Sequence, residues 1–204
     1  QLRDNVFWCV ARGCTVWTAY EVLMMWAYAN GMLPYVDWET SPVYATVLLL
    51  FPMAWMQVHF YFGHRLLHWK PLYRAAHHLH HKNVNVGPWS GLSMHPIEHV
   101  IYFSLVLVYW IIPLHPIHVL FTLQIAALLP AVGHAGFNEY GKGKVTLPGV
   151  FFHYLHHRYF ECNYGDALVP LDRWFGTFHD GTPEAHAHMK KRWDAGFQSE
   201  NETS

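Results

Sequence analysis

The chain has 204 residues, of which 52% are hydrophobic, 17% aromatic and only 13% charged. Soluble domains carry about 25% charged residues, so this composition is typical of a protein that contacts lipid. The net charge of −1 gives no reason to expect a nucleic-acid partner. Cys9, Cys14 and Cys162 lack a zinc or redox spacing and form no disulfide framework. We also expect no secretory signal peptide at the N-terminus.

Four apolar stretches, taken in chain order, predict membrane-spanning helices. They are Val16–Leu33, Val43–Phe62, Ile97–Leu114 and Ile117–Val132. Val43–Phe62 is the clearest, because it contains no charged residue and would measure about 30 Å as a helix. Pro113 and Pro116 bracket a tight turn between the last two stretches. That hairpin either spans the membrane fully or dips partway into it.

The basic residues predict the orientation of these spans. If all four cross, the connections at 34–42 and 113–116 share one side, and neither contains Lys or Arg. The 13 Lys and Arg residues lie on the other side or at the approach to the first span, and by the positive-inside rule that side is cytoplasmic. We therefore expect a multi-pass integral membrane protein with both termini in the cytoplasm. Residues 1–204 would form a single domain, with its cytoplasmic parts at about 63–96 and 134–180.

Three histidine clusters lie beside the apolar stretches, in the patterns H-x-x-x-H, H-x-x-H-H and H-x-x-H-H. They comprise His64 and His68, then His77, His80 and His81, then His153, His156 and His157. Residues three and four apart share a helix face, so each cluster would present its rings in one direction. Imidazole suits Fe, Zn, Cu and Ni, and one ion rarely needs more than about five protein ligands. Eight rings on one side of a membrane therefore predict two metal ions and redox chemistry on a lipid-dissolved substrate.

Other polar residues near the clusters are candidates for orienting the metal ligands through hydrogen bonds. They are His95, Glu98, His99, Asn163, Asp166 and Asp172. Capping of helix ends is the alternative role for the acids and the asparagine. For His95 and His99, which are spaced i, i+4 like a ligand pair, the alternatives are lining of the substrate entrance and, less favoured, contact with a metal. His59, inside the second span, is interpreted as a packed polar group. His118 lies at the opposite, non-cytoplasmic turn and is expected to bind no metal.

The clusters and the segments between them resemble the fatty acid hydroxylase/sterol desaturase superfamily. The supporting segments are His64-Arg65-x-x-His68, Gly87-Pro88-Trp89-Ser90-Gly91, His95-Pro96-x-Glu98-His99, Asn163-Tyr164-Gly165 and Leu171-Asp172-Arg173-Trp174-Phe175-Gly176-Thr177. The resemblance extends from about His59 to Asp180. The segments that begin at His95 and Asn163 look closer to the sterol-desaturase-like branch than to fatty acyl hydroxylases.

This resemblance implies an all-α membrane protein with about four transmembrane helices, in two hairpins, capped by a cytoplasmic helical domain that holds two metal ions. The ions are physiologically iron, although zinc can replace iron in purified protein. The resemblance implies that the eight cluster histidines are ligands and that His134 is a ninth. Several members carry a further histidine where this chain has Asn138, so Asn138 or water would complete the second metal. Members use O2 and external electrons to hydroxylate or desaturate lipids.

The expected partners follow from what the sequence contains and lacks. A lipid substrate would enter from the bilayer. No dinucleotide-binding fingerprint and no cysteine array for an iron–sulfur cluster is present, so a separate ferredoxin- or cytochrome-type donor with its reductase would supply electrons. The oligomeric state stays open. The alternative function is a histidine-rich membrane metal-binding or transport protein without oxygenase activity, although a transporter would place ionisable groups near the bilayer midplane.

Overall fold

The structure is a computed structural model that describes residues 1–135, 148–165 and 168–191. Within these ranges the secondary structure is helical, without β-strands apart from an isolated bridge between Tyr35 and Leu114, as an all-α fold predicts. The α-helices are α1 (Leu2–Val6), α2 (Cys14–Ala29), α3 (Pro42–Val47), α4 (Phe51–Leu67), α5 (Lys70–Leu72), α6 (His78–His81), α7 (Pro96–Phe103), α8 (Pro116–Gly133), α9 (Pro148–Tyr159) and α10 (Leu171–Trp174). A further helix covers 183–191.

Shorter helical turns connect several of these elements. Two are π-helical, at Phe7–Gly13 and Tyr73–His77, and two are 3₁₀-helical, at Pro88–Ser90 and Ser104–Trp110. The first π-helical turn joins α1 to α2 without a break, and the second leads into α6. The π-helical turn before α6 contributes one of the histidines of the second cluster, so this irregular geometry helps to set the direction of a candidate ligand.

The second predicted span is two helices rather than one, so the prediction of a continuous helix over Val43–Phe62 is wrong. α3 ends at Val47 and α4 begins at Phe51, and the turn between them includes an N–H of Leu50 that donates to the carbonyl of Val47 at 3.0 Å. Pro52 explains the break, because proline has no N–H and its ring would clash with the carbonyl four residues earlier in a continuous helix. α4 then continues beyond the predicted end and reaches the first histidine cluster.

The remaining predicted spans differ in how regular they are. α2 ends at Ala29, where a turn through Gly31 at φ 65° follows. The third stretch is α-helical only to Phe103 and continues as the 3₁₀ turn Ser104–Trp110. α8 matches the fourth stretch to within a residue at each end. Among the described residues, α8 is the one helix long and apolar enough to cross a bilayer by itself, whereas Pro96–Trp110 is apolar but shorter.

A buried apolar cluster packs α2, α4, α7 and α8 against one another. Its fully buried members include Met24, Phe103 and Leu123, and each such side chain contributes about 1.5–3 kcal/mol on burial. The hydroxyl of Tyr102 donates to the carbonyl of Ala126 at 2.8 Å, which fixes α7 against α8. α4 and α8 both end at candidate ligands, so this packing determines how the histidines meet.

Candidate metal centre

Nine histidine side chains converge in two groups. The five-histidine group consists of His64, His68, His77, His81 and His156, and the four-histidine group consists of His80, His134, His153 and His157. Within each group the ligand nitrogens all lie within 4.8 Å of one another. All nine rings are buried except that of His68, which is half-buried. The groups are neighbours, because the ring centroids of His81 and His157 are 4.9 Å apart. These nine are the eight cluster histidines and His134.

Adjacent histidines in the H-x-x-H-H clusters point into different groups. On α6, His80 belongs to the four-histidine group and His81 to the five-histidine group. On α9, His156 joins the five-histidine group, whereas His153 and His157 stay together in the other. Successive helical residues point about 100° apart, while residues at i and i+4 share a face. The local sequence thus makes each of these two helices contribute to both groups.

In the five-histidine group the Nε2 atoms face one another. Nε2 of His81 lies 3.0 Å from that of His77 and 3.2 Å from those of His68 and His156. Nε2 of His68 also lies 3.1 Å from that of His77. Two nitrogens bound to one ion at about 2.1 Å would be separated by about 3.0–3.4 Å at octahedral or tetrahedral angles. The spacing is therefore that of a metal-ligand set.

The four-histidine group is built around His134, which follows the last residue of α8. Its Nε2 lies 3.0 Å from that of His153, 3.1 Å from that of His157 and 3.3 Å from that of His80. These separations also match those of nitrogens on a shared ion. His134 thus links α6 and α9 at the end of α8.

A buried carboxylate orients one ring of the five-histidine group. Nδ1 of His77 donates to Oε1 of Glu98 at 2.8 Å, and Glu98 is 2% exposed. Glu98 is in the first turn of α7, where an acid is also favoured by the helix dipole. A carboxylate on the far nitrogen fixes the tautomer and direction of an imidazole and raises its basicity toward a metal.

Three other rings donate from Nδ1 to main-chain carbonyl oxygens. The pairs are His64 with Tyr164 at 2.7 Å, His134 with Pro130 at 2.7 Å, and His156 with Cys162 at 2.6 Å. Donation from Nδ1 leaves the Nε2 lone pair available to a cation. Sequence reasoning missed these three acceptors, because every residue carries a carbonyl and no side-chain type marks them.

Burial keeps the nine rings uncharged at neutral pH. It lowers the pKa of His64 and of His134 from 6.5 to about 4, and the nearby His134 contributes to the shift at His64. In the other seven rings the pKa is held well below 6.5, by burial first and by the neighbouring imidazoles second. Neutral rings with converging lone pairs form an arrangement that a bound cation would stabilise.

Asp172 holds the loop that supplies two of the carbonyls. Its carboxylate accepts from the N–H of Tyr164 at 2.9 Å, from the N–H of Gly165 at 2.8 Å and from the hydroxyl of Thr177 at 2.6 Å. Burial raises the pKa of Asp172, while these three donors favour its ionised form. Asp172 therefore acts on the five-histidine group through the main chain of the loop.

Asn163 lies between Cys162 and Tyr164, the two residues whose carbonyl oxygens accept hydrogen bonds from histidine rings of the five-histidine group. Its backbone has φ 51°, a left-handed conformation that asparagine tolerates better than most residues. Its side chain accepts from the N–H of His179 at 2.8 Å and donates to the carbonyl of His179 at the same distance. Asn163 thus shapes the loop and ties it to the following segment, and its described hydrogen bonds include none to a histidine ring of either group.

His95 and His99 belong to neither group. Nδ1 of His95 accepts from the N–H of Ile97 at 3.3 Å and caps α7. His99 is fully buried and packs against the π-helical turn, where a Cβ on Gly13 would lie 2.9 Å from its Cε1. His95 therefore caps the start of α7, and His99 packs α7 against the N-terminal helices.

Two other sequence candidates, Asn138 and Asp166, lie outside the described residues. His118 takes no part in either group, since it lies near the start of α8 while His134 follows its end. Nε2 of His118 donates to the carbonyl of Ala45 at 2.7 Å, which connects α8 to α3. His118 is therefore a structural contact at the opposite end of the helix.

A cavity of about 380 Å³ adjoins the histidine groups. Its walls carry apolar side chains of α4, α7 and α8, among them Met56, Ile101 and Leu129. Val132 and Leu168 also line it and are 44% and 62% exposed, so the cavity reaches an apolar part of the surface. Its histidine lining is His59, His64, His77, His80, His134 and His153. The volume is that of a small-molecule site, for which about 300–1,000 Å³ is usual.

Comparison with known proteins gives a consistent set of relatives. The family described as Fatty acid hydroxylase matches residues 49–177. A Delta(7)-sterol-C5(6)-desaturase of Nicotiana tabacum is 30% identical over 175 residues, which cover 81% of this chain and 60% of the relative. A Delta(7)-sterol 5(6)-desaturase of Saccharomyces cerevisiae is 29% identical over 166 residues, covering 78% of this chain and 45% of the relative. The chain thus spans about half the length of these curated relatives. No solved structure matches it.

The matched range contains the three histidine clusters, Glu98 and the loop that Asp172 holds. Both of these curated relatives are named as sterol desaturases, so the resemblance seen in the sequence, including its branch, is confirmed. The chain belongs to the fatty acid hydroxylase/sterol desaturase superfamily, in its sterol-desaturase-like branch.

Proposed function

We propose that this protein is a membrane-bound oxidoreductase that uses two iron ions and O2 to hydroxylate or desaturate an unactivated C–H position of a lipid. The observation that carries the proposal is the convergence of nine neutral imidazoles in two neighbouring groups beside an apolar cavity. The names of the relatives point to a sterol-like substrate, and the family description to a fatty-acyl one. Both are lipids that reach the cavity from an apolar phase.

The donor set fits a pair of metal ions. Neutral imidazoles whose lone pairs face each other at 3.0–3.3 Å repel one another, and a cation between them removes that repulsion. A structural zinc site uses four protein ligands, so the five nitrogens of the larger group favour an ion with a higher coordination number, and the four nitrogens of the adjacent group are enough to hold a second ion. The five-histidine group would hold one ion and the four-histidine group the other. Family membership favours iron among the metals that imidazole binds.

An iron pair of this kind supplies O2-dependent oxidation of a C–H bond. Hydroxylation would use one O2, two electrons and two protons, and would place one oxygen atom in the lipid and one in water. Desaturation would remove two hydrogen atoms from neighbouring carbons and, with the same O2, electrons and protons, release two waters. The electrons would come from a separate ferredoxin- or cytochrome-type donor.

The residues of the chain would prepare this chemistry by orientation and by exclusion of water. Glu98 and the loop carbonyls direct the Nε2 atoms inward, so the ligands need no rearrangement when metal binds. Phe60 stacks on His64 with centroids 4.9 Å apart and lines the cavity, which puts an apolar surface beside the ligands. Imidazoles resist the oxidation that would damage thiolates, and no cysteine occurs within the three clusters.

The arrangement of helix ends supports a site at a membrane boundary. α4 ends at Leu67 beside its two histidines, and α8 ends at Gly133 beside His134. α8 begins at Pro116, at the end of one connection that lacks Lys and Arg, and α3, which precedes α4, begins at Pro42, at the end of the other. We propose a single domain with four membrane-crossing segments and the metal centre at the cytoplasmic ends of α4 and α8. The substrate would then enter laterally, past Val132 and Leu168.

Lipid analysis tests the proposed function directly. The protein is expressed in cells that lack a related desaturase, and lipid extracts are compared by mass spectrometry with those from cells that express a variant with His80→Ala and His156→Ala. We expect a lipid that has lost two hydrogens or gained one oxygen in the first culture alone, and only when O2 is supplied. An unchanged lipid profile with folded, iron-loaded protein would contradict the proposal.

A further inference from the structure

His59 places a polar group in the largely apolar wall that α4 contributes to the cavity. It projects from α4, is half-buried and belongs to neither histidine group. An ionisable side chain within an apolar, membrane-length segment marks a functional position by default. Gln57, another polar side chain of this wall, already has an interaction within the protein. Outside the histidine groups, His59 is therefore the side chain of α4 that we consider for binding a polar group of a ligand.

The hydrogen bonds of Ser104 determine which nitrogen of His59 carries the proton. The Ser104 hydroxyl donates to the carbonyl of Ile101 at 2.7 Å, so its single proton is used. The hydroxyl oxygen of Ser104 lies 3.0 Å from Nε2 of His59 and must then be the acceptor. Nε2 of His59 is therefore the donor and carries the proton. In the neutral ring, which an apolar segment favours, Nδ1 is consequently an acceptor. No hydrogen bond to Nδ1 of His59 is found in the described part of the chain.

The helices put this acceptor close to the histidine groups. His59 precedes His64 by five residues on α4, which is about 7.5 Å along the helix axis. Ser104 follows Glu98 by six residues, about 9 Å along α7 and its C-terminal cap, and Glu98 holds His77. Along the axes of α4 and α7, the His59–Ser104 pair thus lies only about 7.5–9 Å from residues that belong to the proposed metal centre or orient its rings.

We propose that Nδ1 of His59 accepts a hydrogen bond from a hydroxyl of the lipid substrate, and that it selects a lipid whose hydroxyl lies only a few bonds from the oxidised carbon. His59 and His64 line the same cavity from positions about 7.5 Å apart along the axis of α4, a rise that one hydrogen bond of about 2.8 Å and a short part of a ring system would cover. A sterol hydroxyl, attached directly to the rings, meets this condition, whereas the middle of a fatty acyl chain does not. The inference rests on the proposed function and chooses between its two substrate classes.

Lipid binding to the metal-free protein tests this recognition without turnover. A tritiated Δ7-sterol is bound to purified protein in detergent and displaced by the unlabelled sterol, by its 3-ketone or by its 3-O-methyl ether. We expect the alcohol to compete about five- to tenfold better than the other two, because one net hydrogen bond is worth about 1 kcal/mol and neither analogue can donate to Nδ1.

Two variants separate recognition from general damage to the cavity. His59→Phe keeps an aromatic ring and should abolish the preference for the alcohol, while a separate sample of the variant reconstituted with iron should hold as much iron as wild type. Ser104→Ala removes the acceptor that fixes the imidazole proton, so the ring can donate to a carbonyl and the ketone should compete almost as well as the alcohol. His188→Phe, in the exposed helix at 183–191, is the matched control and should keep the wild-type preference.

An unchanged preference in His59→Phe, or a wild-type protein that binds the ketone as tightly as the alcohol, would overturn the inference. The proposed function fails in a different way, because binding is measured without iron. Lipid oxidation by a protein with no hydroxyl preference would refute the recognition role alone. A hydroxyl preference without any O2-dependent lipid oxidation would refute the proposed function alone.

Discussion

Nδ1 of His77 donates to Oε1 of Glu98 across 2.8 Å, and both side chains are buried. The second carboxylate oxygen, Oε2, has no hydrogen-bond partner among the described residues, although Glu98 lines the cavity. A buried carboxylate with a single partner is unfavourable unless positive charge lies nearby. Two divalent ions in the adjacent histidine groups would provide that charge. The pair therefore links the ligand geometry to the charge balance of the proposed metal centre.

Glu98→Ala should weaken iron binding about 10- to 100-fold, because His77 loses the group that orients it. Glu98→Gln should lose less affinity, since the amide oxygen still accepts from Nδ1 and only the charge is removed. Iron retained after dialysis against graded chelator concentrations measures both effects. Glu184→Ala, in the exposed helix at 183–191, serves as the control. Equal iron retention by Glu98→Ala and wild type would show that this carboxylate does not support the site.

The three neighbouring histidines of α6 should respond differently to substitution by alanine. His80→Ala leaves three rings in its group and should reduce iron from about two to about one per chain. His81→Ala leaves four rings and should lose less iron. His78 is exposed and lies in neither group, so His78→Ala should keep the full iron content. Iron is counted by plasma mass spectrometry on purified protein. Depletion by His78→Ala as deep as by His80→Ala would refute the assignment of rings to groups.

Gly91 is packed too closely to accept a side chain. A Cβ at this position would lie 2.5 Å from the carbonyl carbon and oxygen of Pro130, the group that orients His134. Gly91→Ala should destabilise the protein by about 1–3 kcal/mol and weaken iron binding at the four-histidine group. Gly87→Ala, four residues earlier, would meet nothing within 4 Å and should be tolerated. Thermal unfolding in detergent and iron content compare the two, and equal behaviour would contradict this packing.

Acidification should destabilise the metal-free protein. The pKa of His64 and His134 is lowered from 6.5 to about 4, so the unfolded chain binds more protons than the folded one between these values. Stability should therefore be independent of these groups above about pH 6.5 and fall progressively toward about pH 4. The unfolding temperature of metal-free protein, measured across this range, checks the direction. A higher unfolding temperature at about pH 5 than at about pH 7 would contradict it.

Side-chain patterns in the sequence predict which histidines belong to the candidate site. The i, i+3 and i, i+4 spacing of the histidines indicates shared helix faces. His134 has no such spacing, and only the family resemblance identifies it as a candidate ligand. The division of His80 and His81 between groups follows from the angle between successive helical residues, yet the sequence does not say which other rings they meet. Tertiary packing of α4, α8 and α9 decides that.

Backbone features were harder to predict. Pro52 predicts the break before α4. A search for uncharged apolar stretches passes over this residue, because proline carries no charge. The carbonyls of Cys162 and Tyr164 had no signal, since main-chain oxygens are the same in every residue. Asn163 partly predicts the sharp turn of this loop, because asparagine is more common than most residues where φ is positive. The role of Asp172 likewise depends on which N–H groups the folded loop presents to it.

X-ray absorption at the iron edge, combined with iron counting, tests the dinuclear centre most directly. Protein reconstituted anaerobically with ferrous iron should bind about two ions per chain, each surrounded predominantly by nitrogen at about 2.0–2.2 Å with the outer-shell scattering of imidazole. A single ion, or a coordination shell dominated by sulfur or by water oxygen, would contradict the account of nine histidines holding a metal pair.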